Sequence, residues 1–234
     1  MNYRNTKCYL NCEKHIFDGV GEFDIPVIEP LDFDIKGASL IGFNYAKTDK
    51  EPENHIVHFY LDDYQFERVW HSPDHYLSVL QRFKAVLSPD FSMYTDFPRA
   101  VSIFNHYRKQ WCGAYWQENG INVIPTIGWS RPDSFDYCFD GIPRDALVCI
   151  STVGMFFDKE HRKKFVDSYH KALDIITPKK ILFYGKLYPE IDVPDGIEYE
   201  VAVNANTQKL SEIRDQKRKE EREKRKEQKD GAKH

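Results

Sequence analysis

The chain contains no G-x-x-x-x-G-K-[ST] phosphate loop, no G-x-G-x-x-G turn, no G-x-S-x-G elbow and no H-E-x-x-H helix. The common nucleotide-binding, ester-hydrolysing and zinc-protease signatures are thereby excluded as motifs. No apolar run approaches the roughly 18 residues of a membrane span. The N-terminus also lacks the charged-then-apolar order of a secretory leader. Both absences predict a cytoplasmic protein with no membrane partner. Cysteine is scarce: five residues, scattered and odd in number, fit reduced thiols better than a disulfide framework. Cys112 and Cys138, in aromatic surroundings, are expected to pack as small hydrophobes.

Net charge is also low, −4, but it conceals an asymmetry. Residues 207–234 hold 11 basic and 7 acidic side chains, or +4, leaving 22 and 30, or −8, for residues 1–206. An acidic body argues against a broad duplex-binding face, because neutralising phosphates needs clustered cations. With 234 residues and 41% hydrophobic content, the chain is long enough for one substantial core.

What is present is a recurring unit: a short apolar run, one or two polar residues as it ends, then a loop or helix. The runs are Ser39–Asn44, His55–Asp63, Lys84–Asp90, Asn122–Trp129, Leu147–Thr152 and Lys180–Lys186, with a closing strand at Glu198–Asn204. Ile25–Ile28, lying between prolines, reads as an edge strand and brings the count to eight. Ser72-Pro73-Asp74 opens a helix with an apolar face at Leu77, Leu80 and Phe83. A second helix follows Thr95-Asp96, stops near Gly120, and carries a stripe of Phe97, Val101, Phe104, Trp111 and Tyr115. A third starts near Asp158, buries Phe165, Tyr169, Ala172 and Ile176, and cannot continue past Pro178.

This rhythm predicts a single α/β domain at 25–206 with a mostly parallel central sheet. An incomplete or distorted (β/α) barrel is one closure of that sheet and a doubly wound open sheet the alternative. Residues 1–24 read as an irregular N-terminal segment, and 207–234 as a charged helical tail.

In either fold, ligands bind at the carboxyl ends of the strands. The candidate catalytic residues are therefore Asp62, Asp63, Asp90 and Asp136, carboxylates that can share acid and base roles or hold a hard cation such as magnesium. Asn44, Ser88, Trp129, Ser151, Thr152 and Lys186 are the candidate substrate-binding residues, Lys186 for an anionic group and Trp129 for stacking on a base or sugar. The same Asp residues also suit capping and turn roles. Cys8-x3-Cys12-x2-His15 has the close spacing of metal ligands without completing a zinc motif, so no metal and no cofactor is assigned. His71, His75, His106, His161 and His170 fall in or beside helices and are expected at the surface.

Several stretches in order, Phe59–Trp70, Val86–Ser92, Gly120–Trp129, Ser134–Pro143 and Ile150–Gly154, resemble the domain of unknown function 4417 family of bacteria, their phages and mobile elements. The resemblance covers roughly residues 8–205. It implies a bacterial or phage origin and one common domain, and supplies no catalytic residues. Combined with the rim, it suggests a phage or mobile-element enzyme acting on a nucleotide-like or phosphorylated substrate. The alternative is a noncatalytic nucleic-acid- or protein-binding module whose basic tail contacts nucleic acid or a host protein.

Overall fold

A computed structural model describes residues 10–154 and 158–205. Ten strands are formed: β1 (Gly19–Val20), β2 (Ile25–Pro26), β3 (Ser39–Gly42), β4 (Ile56–His58), β5 (Ala85–Leu87), β6 (Val123–Ile124), β7 (Thr126–Ile127), β8 (Leu147–Ser151), β9 (Lys180–Tyr184) and β10 (Glu198–Asn204). The α-helices are α1 (Arg68–His71), α2 (Pro73–Leu80), α3 (Arg99–Glu118) and α4 (Lys159–Ile176). Hydrogen-bonded strand order is β6-β5-β4-β3-β10-β9-β8-β7, every pair parallel.

The two ends of that order, β6 and β7, are halves of one stretch separated only by Pro125, which has no N–H for a ladder. Its carbonyl still accepts from Cys149 N at 2.8 Å. The sheet therefore wraps into a seven-stranded barrel with its seam at Pro125. The barrel, rather than the open sheet, is the closure adopted. The edge strand expected at residue 25 is not part of it: Ile25–Pro26 pairs antiparallel with Gly19–Val20, outside the barrel. Residues 19–20 thus give the N-terminal segment one short strand.

Period-2 alternation divides the core. Leu40, Ile56, Ala85, Leu87, Ile124, Leu147, Cys149 and Leu182 fill the barrel interior. Their outward neighbours Ile41, Val57, Val86 and Val123 pack with Trp70, Trp111 and Trp116 from the helices. Ile127, Val148, Ile150, Ile181 and Phe183 pack on Phe165, Tyr169, Ala172 and Ile176 of α4. The buried face expected for the third helix is thus the one formed. Asp158 caps α4 by accepting from the N–H groups of Glu160 and His161, both at 2.9 Å.

The second helix departs from expectation. Val101 and Phe104 are 41% and 40% exposed, and Phe97 precedes the helix. The buried face of α3 carries Ser102, Asn105, His106, Lys109 and Gln110 beside Trp111 and Cys112. Polar side chains can lie there because the facing loops offer partners: His106 Nε2 and Gln110 Nε2 both donate to the Asp140 carbonyl, at 2.9 and 3.0 Å. His106 is therefore buried, unlike the other four helical histidines. Cys112, Cys138 and Cys149 are buried free thiols.

Candidate functional site at the barrel mouth

The carboxyl ends of β4, β5, β8, β9 and β10 bring His58, Tyr60, Asp90, Cys149, Tyr184 and Asn204 together. Alternation sets part of this, since Ile56 and Leu182 face inward, and His58, Tyr60 and Tyr184 follow them at even spacing on the same side. Tyr60 and Tyr184 stack at 4.8 Å between ring centroids, 14° from parallel. His58 lies against Tyr184 at 4.6 Å. Tyr60 donates its hydroxyl proton to Cys149 Sγ at 3.3 Å, and Asn204 Nδ2 donates to the Tyr184 hydroxyl at 3.2 Å.

Asp90 follows Ser88-Pro89 beyond β5. Its Oδ1 lies 3.6 Å from Lys109 Nζ, whose side chain is only 1% exposed against 34% for Asp90. Lys109 reaches the mouth from α3 and also donates to the Thr126 carbonyl at 3.5 Å. Burial pushes the Asp90 carboxyl above the usual range, Lys109 pulls it back, and nearby Asp63 adds to the rise. Tyr60 is raised by burial, with Cys149 and Asp90 adding to it. Asp90 is thus desolvated yet still partly reached by solvent. Gly128 lies beside it: a Cβ there would stand 3.6 Å from both Asp90 Oδ1 and Lys109 Nζ.

Burial acts the opposite way on imidazole and holds His58 down at about 4. Cys149 is pushed up to about 12, chiefly by burial, so it is a packed thiol rather than a nucleophile. The mouth thus combines a carboxyl held above its usual range, a buried lysine and two stacked tyrosine rings.

The sequence model of the Domain of unknown function (DUF4417) matches residues 17–200. The chain belongs to this family. The "Gene 1 protein" of Mycobacterium phage L5 is 40% identical over 187 residues, covering 78% of this chain and 81% of the relative. The "Gene 1 protein" of Mycobacterium phage D29 is also 40% identical over 187 residues, 78% of this chain and 68% of its own length. No solved structure matches the chain. The DUF4417 match includes every mouth residue except Asn204 and stops short of the charged tail, residues 207–234, which lies outside the described residues.

The other candidate residues of this DUF4417 chain take varied places. Asp63 accepts from Ser92 N at 3.2 Å and Ser92 Oγ at 2.8 Å, which ties the loop carrying Asp90 to the one after β4. Asp62 is exposed and accepts from Gln65 Nε2 at 3.5 Å. Asp136 is exposed and paired with Arg99 at 3.0 Å. Trp129 is half-buried against Phe165 and Phe135. Thr152 is buried and donates to the carbonyls of Tyr184 and Lys186, at 3.3 and 2.8 Å. Ser151 Oγ accepts from Val153 N at 3.2 Å, and Asn44 and Lys186 are exposed. Lys186 Nζ sits over the Tyr188 ring at 5.1 Å.

Of the metal-spaced trio, Cys8 lies outside the described residues, Cys12 donates to the Leu10 carbonyl and His15 pairs with Glu118. No group of three potential metal ligands occurs among the described residues. No described helix is long and apolar enough to cross a membrane.

Ser88 is fully buried; its Oγ accepts from Thr126 N at 2.8 Å and lies 3.0 Å from Thr126 Oγ1. Ser88→Ala strands that N–H in a dry place, so the expected loss is about 2 kcal/mol. Denaturant unfolding measures it; an unchanged midpoint would show that Thr126 N finds another acceptor.

Proposed function

We propose that this chain is a (β/α)-barrel enzyme acting on a nucleotide-like or phosphorylated substrate, with Asp90 as the group that takes and returns a proton. The observation that carries this reading is Asp90 itself, a solvent-reached carboxylate held above its usual range at the carboxyl end of β5. Lys109, 3.6 Å away, fixes its position and limits the rise. Tyr60 and Tyr184 offer a flat face for a base or sugar, and Lys186, exposed at the end of β9, is available to an anionic group.

A thermal-shift screen of nucleoside phosphates and sugar phosphates tests it. A ligand at a hundredfold its Kd stabilises the native state by about 2.7 kcal/mol. Any stabilising compound is then incubated with wild type and with Asp90→Asn, and its conversion followed by NMR. The variant is expected to keep the thermal shift and lose turnover by about 100-fold or more. Equal turnover by Asp90→Asn, or no response to any phosphorylated compound, defeats the proposal.

A further inference from the structure

We propose that His58 is a preset hydrogen-bond donor, through Nε2–H, to an acceptor atom on the edge of a planar ring held in the barrel mouth. This rests on reading the mouth as a nucleotide-like site and goes beyond it by naming the ligand feature recognised.

The geometry fixes the tautomer. Tyr60 N donates to His58 Nδ1 at 3.2 Å, so Nδ1 keeps its lone pair and a neutral ring carries its proton on Nε2. Burial disfavours a second proton, and no carboxylate pairs with the ring to oppose this. Its neighbours are the rings of Tyr60, at 6.0 Å, and Tyr184, at 4.6 Å. Nε2, on the far side of the ring from Nδ1, has no hydrogen-bond partner among the described residues. In ladder register His58 stands beside Gly42, which brings no side chain of its own to the mouth.

His58 is buried as a residue, yet Nε2 is not among the fully covered unpartnered atoms of the described residues, so a ligand or water can reach this donor. A neutral imidazole held as a donor is a known means of polarising a carbonyl without supplying a full charge. The flat wall beside it selects a ring, and Nε2–H selects a carbonyl oxygen or ring nitrogen on that ring's edge. A histidine that merely filled the core would show none of this preference.

The probe is uridine 5′-monophosphate, whose ring carries two carbonyl oxygens. Histidine 15N spectra of the full chain are recorded from pH 5 to 8, with and without the nucleotide. The expected result is a neutral Nε2–H ring throughout, with an Nε2 shift on adding nucleotide. His58→Phe, which keeps the ring and removes the donor, should weaken binding at least tenfold. His58→Gln, which returns an N–H, should recover most of the loss and guards against misfolding of the first variant. An Nδ1–H tautomer, protonation near pH 6.5, or equal affinity of wild type and His58→Phe would overturn the inference. So would no binding of the nucleotide by wild type. That last result leaves the role of Asp90 standing if a sugar phosphate is still converted by wild type and not by Asp90→Asn.

Discussion

Lowering the pH from 6.5 to 5.0 is expected to remove about 3 kcal/mol of stability through two histidines, His58 and His106. Burial holds their folded values at about 4 and about 3, against 6.5 for a free imidazole. Lys109 adds to the depression at His106. Below pH 6.5 the unfolded chain takes up protons that the folded chain refuses, so stability falls with pH at about 1.4 kcal/mol per unit for each ring. The loss is already under way at pH 6.5, where a free imidazole is half protonated, and levels only below the folded values. Asp90 and Asp140, held above the usual carboxylate range mainly by burial, bind protons more readily when folded and offset part of the fall. Urea midpoints between pH 5 and 8 measure the slope, and His106→Gln should reduce it by about half. A flat profile from 6.5 to 5 would mean that both rings take up protons within the fold, and a halved slope in wild type that one does.

Gly141→Ala is expected to cost about 3 to 5 kcal/mol or to prevent folding. Two independent penalties meet there. Its φ of +73° lies in the left-handed region, which costs a non-glycine residue about 1 kcal/mol or more. A Cβ at this position would also stand 2.1 Å from the Pro26 carbonyl oxygen and 2.8 Å from Gln110 Nε2. The carbonyl belongs to backbone fixed by the 3.0 Å bond from Ile28 N to Gly141 O, so it cannot swing away as a side chain would. Gly120 is the control: its φ is +76° but no atom lies within 4 Å of the would-be Cβ, so Gly120→Ala should cost only about 1 kcal/mol. Similar losses at the two positions would remove the steric part of the argument.

Much of the architecture could be read from residue order. Seven apolar runs became seven barrel strands, and the Asp158 cap and Pro178 stop bracket α4. The barrel is one of the two closures the rhythm predicts, but its strand order and seam were not legible, because they depend on β3 pairing with β10 and on Pro125 letting one segment serve two neighbours. Neither leaves a local pattern. The stripe on α3 was misjudged for a physical reason. Of the expected stripe Trp111 is buried and Tyr115 packs on the core, but Val101 and Phe104 are exposed, and Ser102, Asn105, His106, Lys109 and Gln110 share the buried face with Trp111. That polar stripe was visible; the carbonyl and carboxylate that pair with His106 Nε2, Gln110 Nε2 and Lys109 come from distant loops.

The site shows the same division. Asp90 and Ser88 are legible as polar residues at a strand end, since both follow β5 directly. His58, Tyr60 and Tyr184 lie within or just past apolar runs and resemble core. Counting by twos from Ile56 and Leu182 would have put them on the inward face. Lys109 offered no such count, because what matters is how far a side chain on a helix reaches across to another element.

The pairing of β3 with β10 also bears on how the chain is made. Residues 39 and 203 are adjacent in the sheet yet 164 positions apart, so β3 emerges from the ribosome long before its neighbour exists. Throughout that interval β3 presents unpaired N–H and C=O groups along one side, and β9 waits likewise once made. Nascent chains ending before residue 204 therefore carry sticky parallel edges, and slow translation across 185–204 should raise aggregation without altering the finished protein.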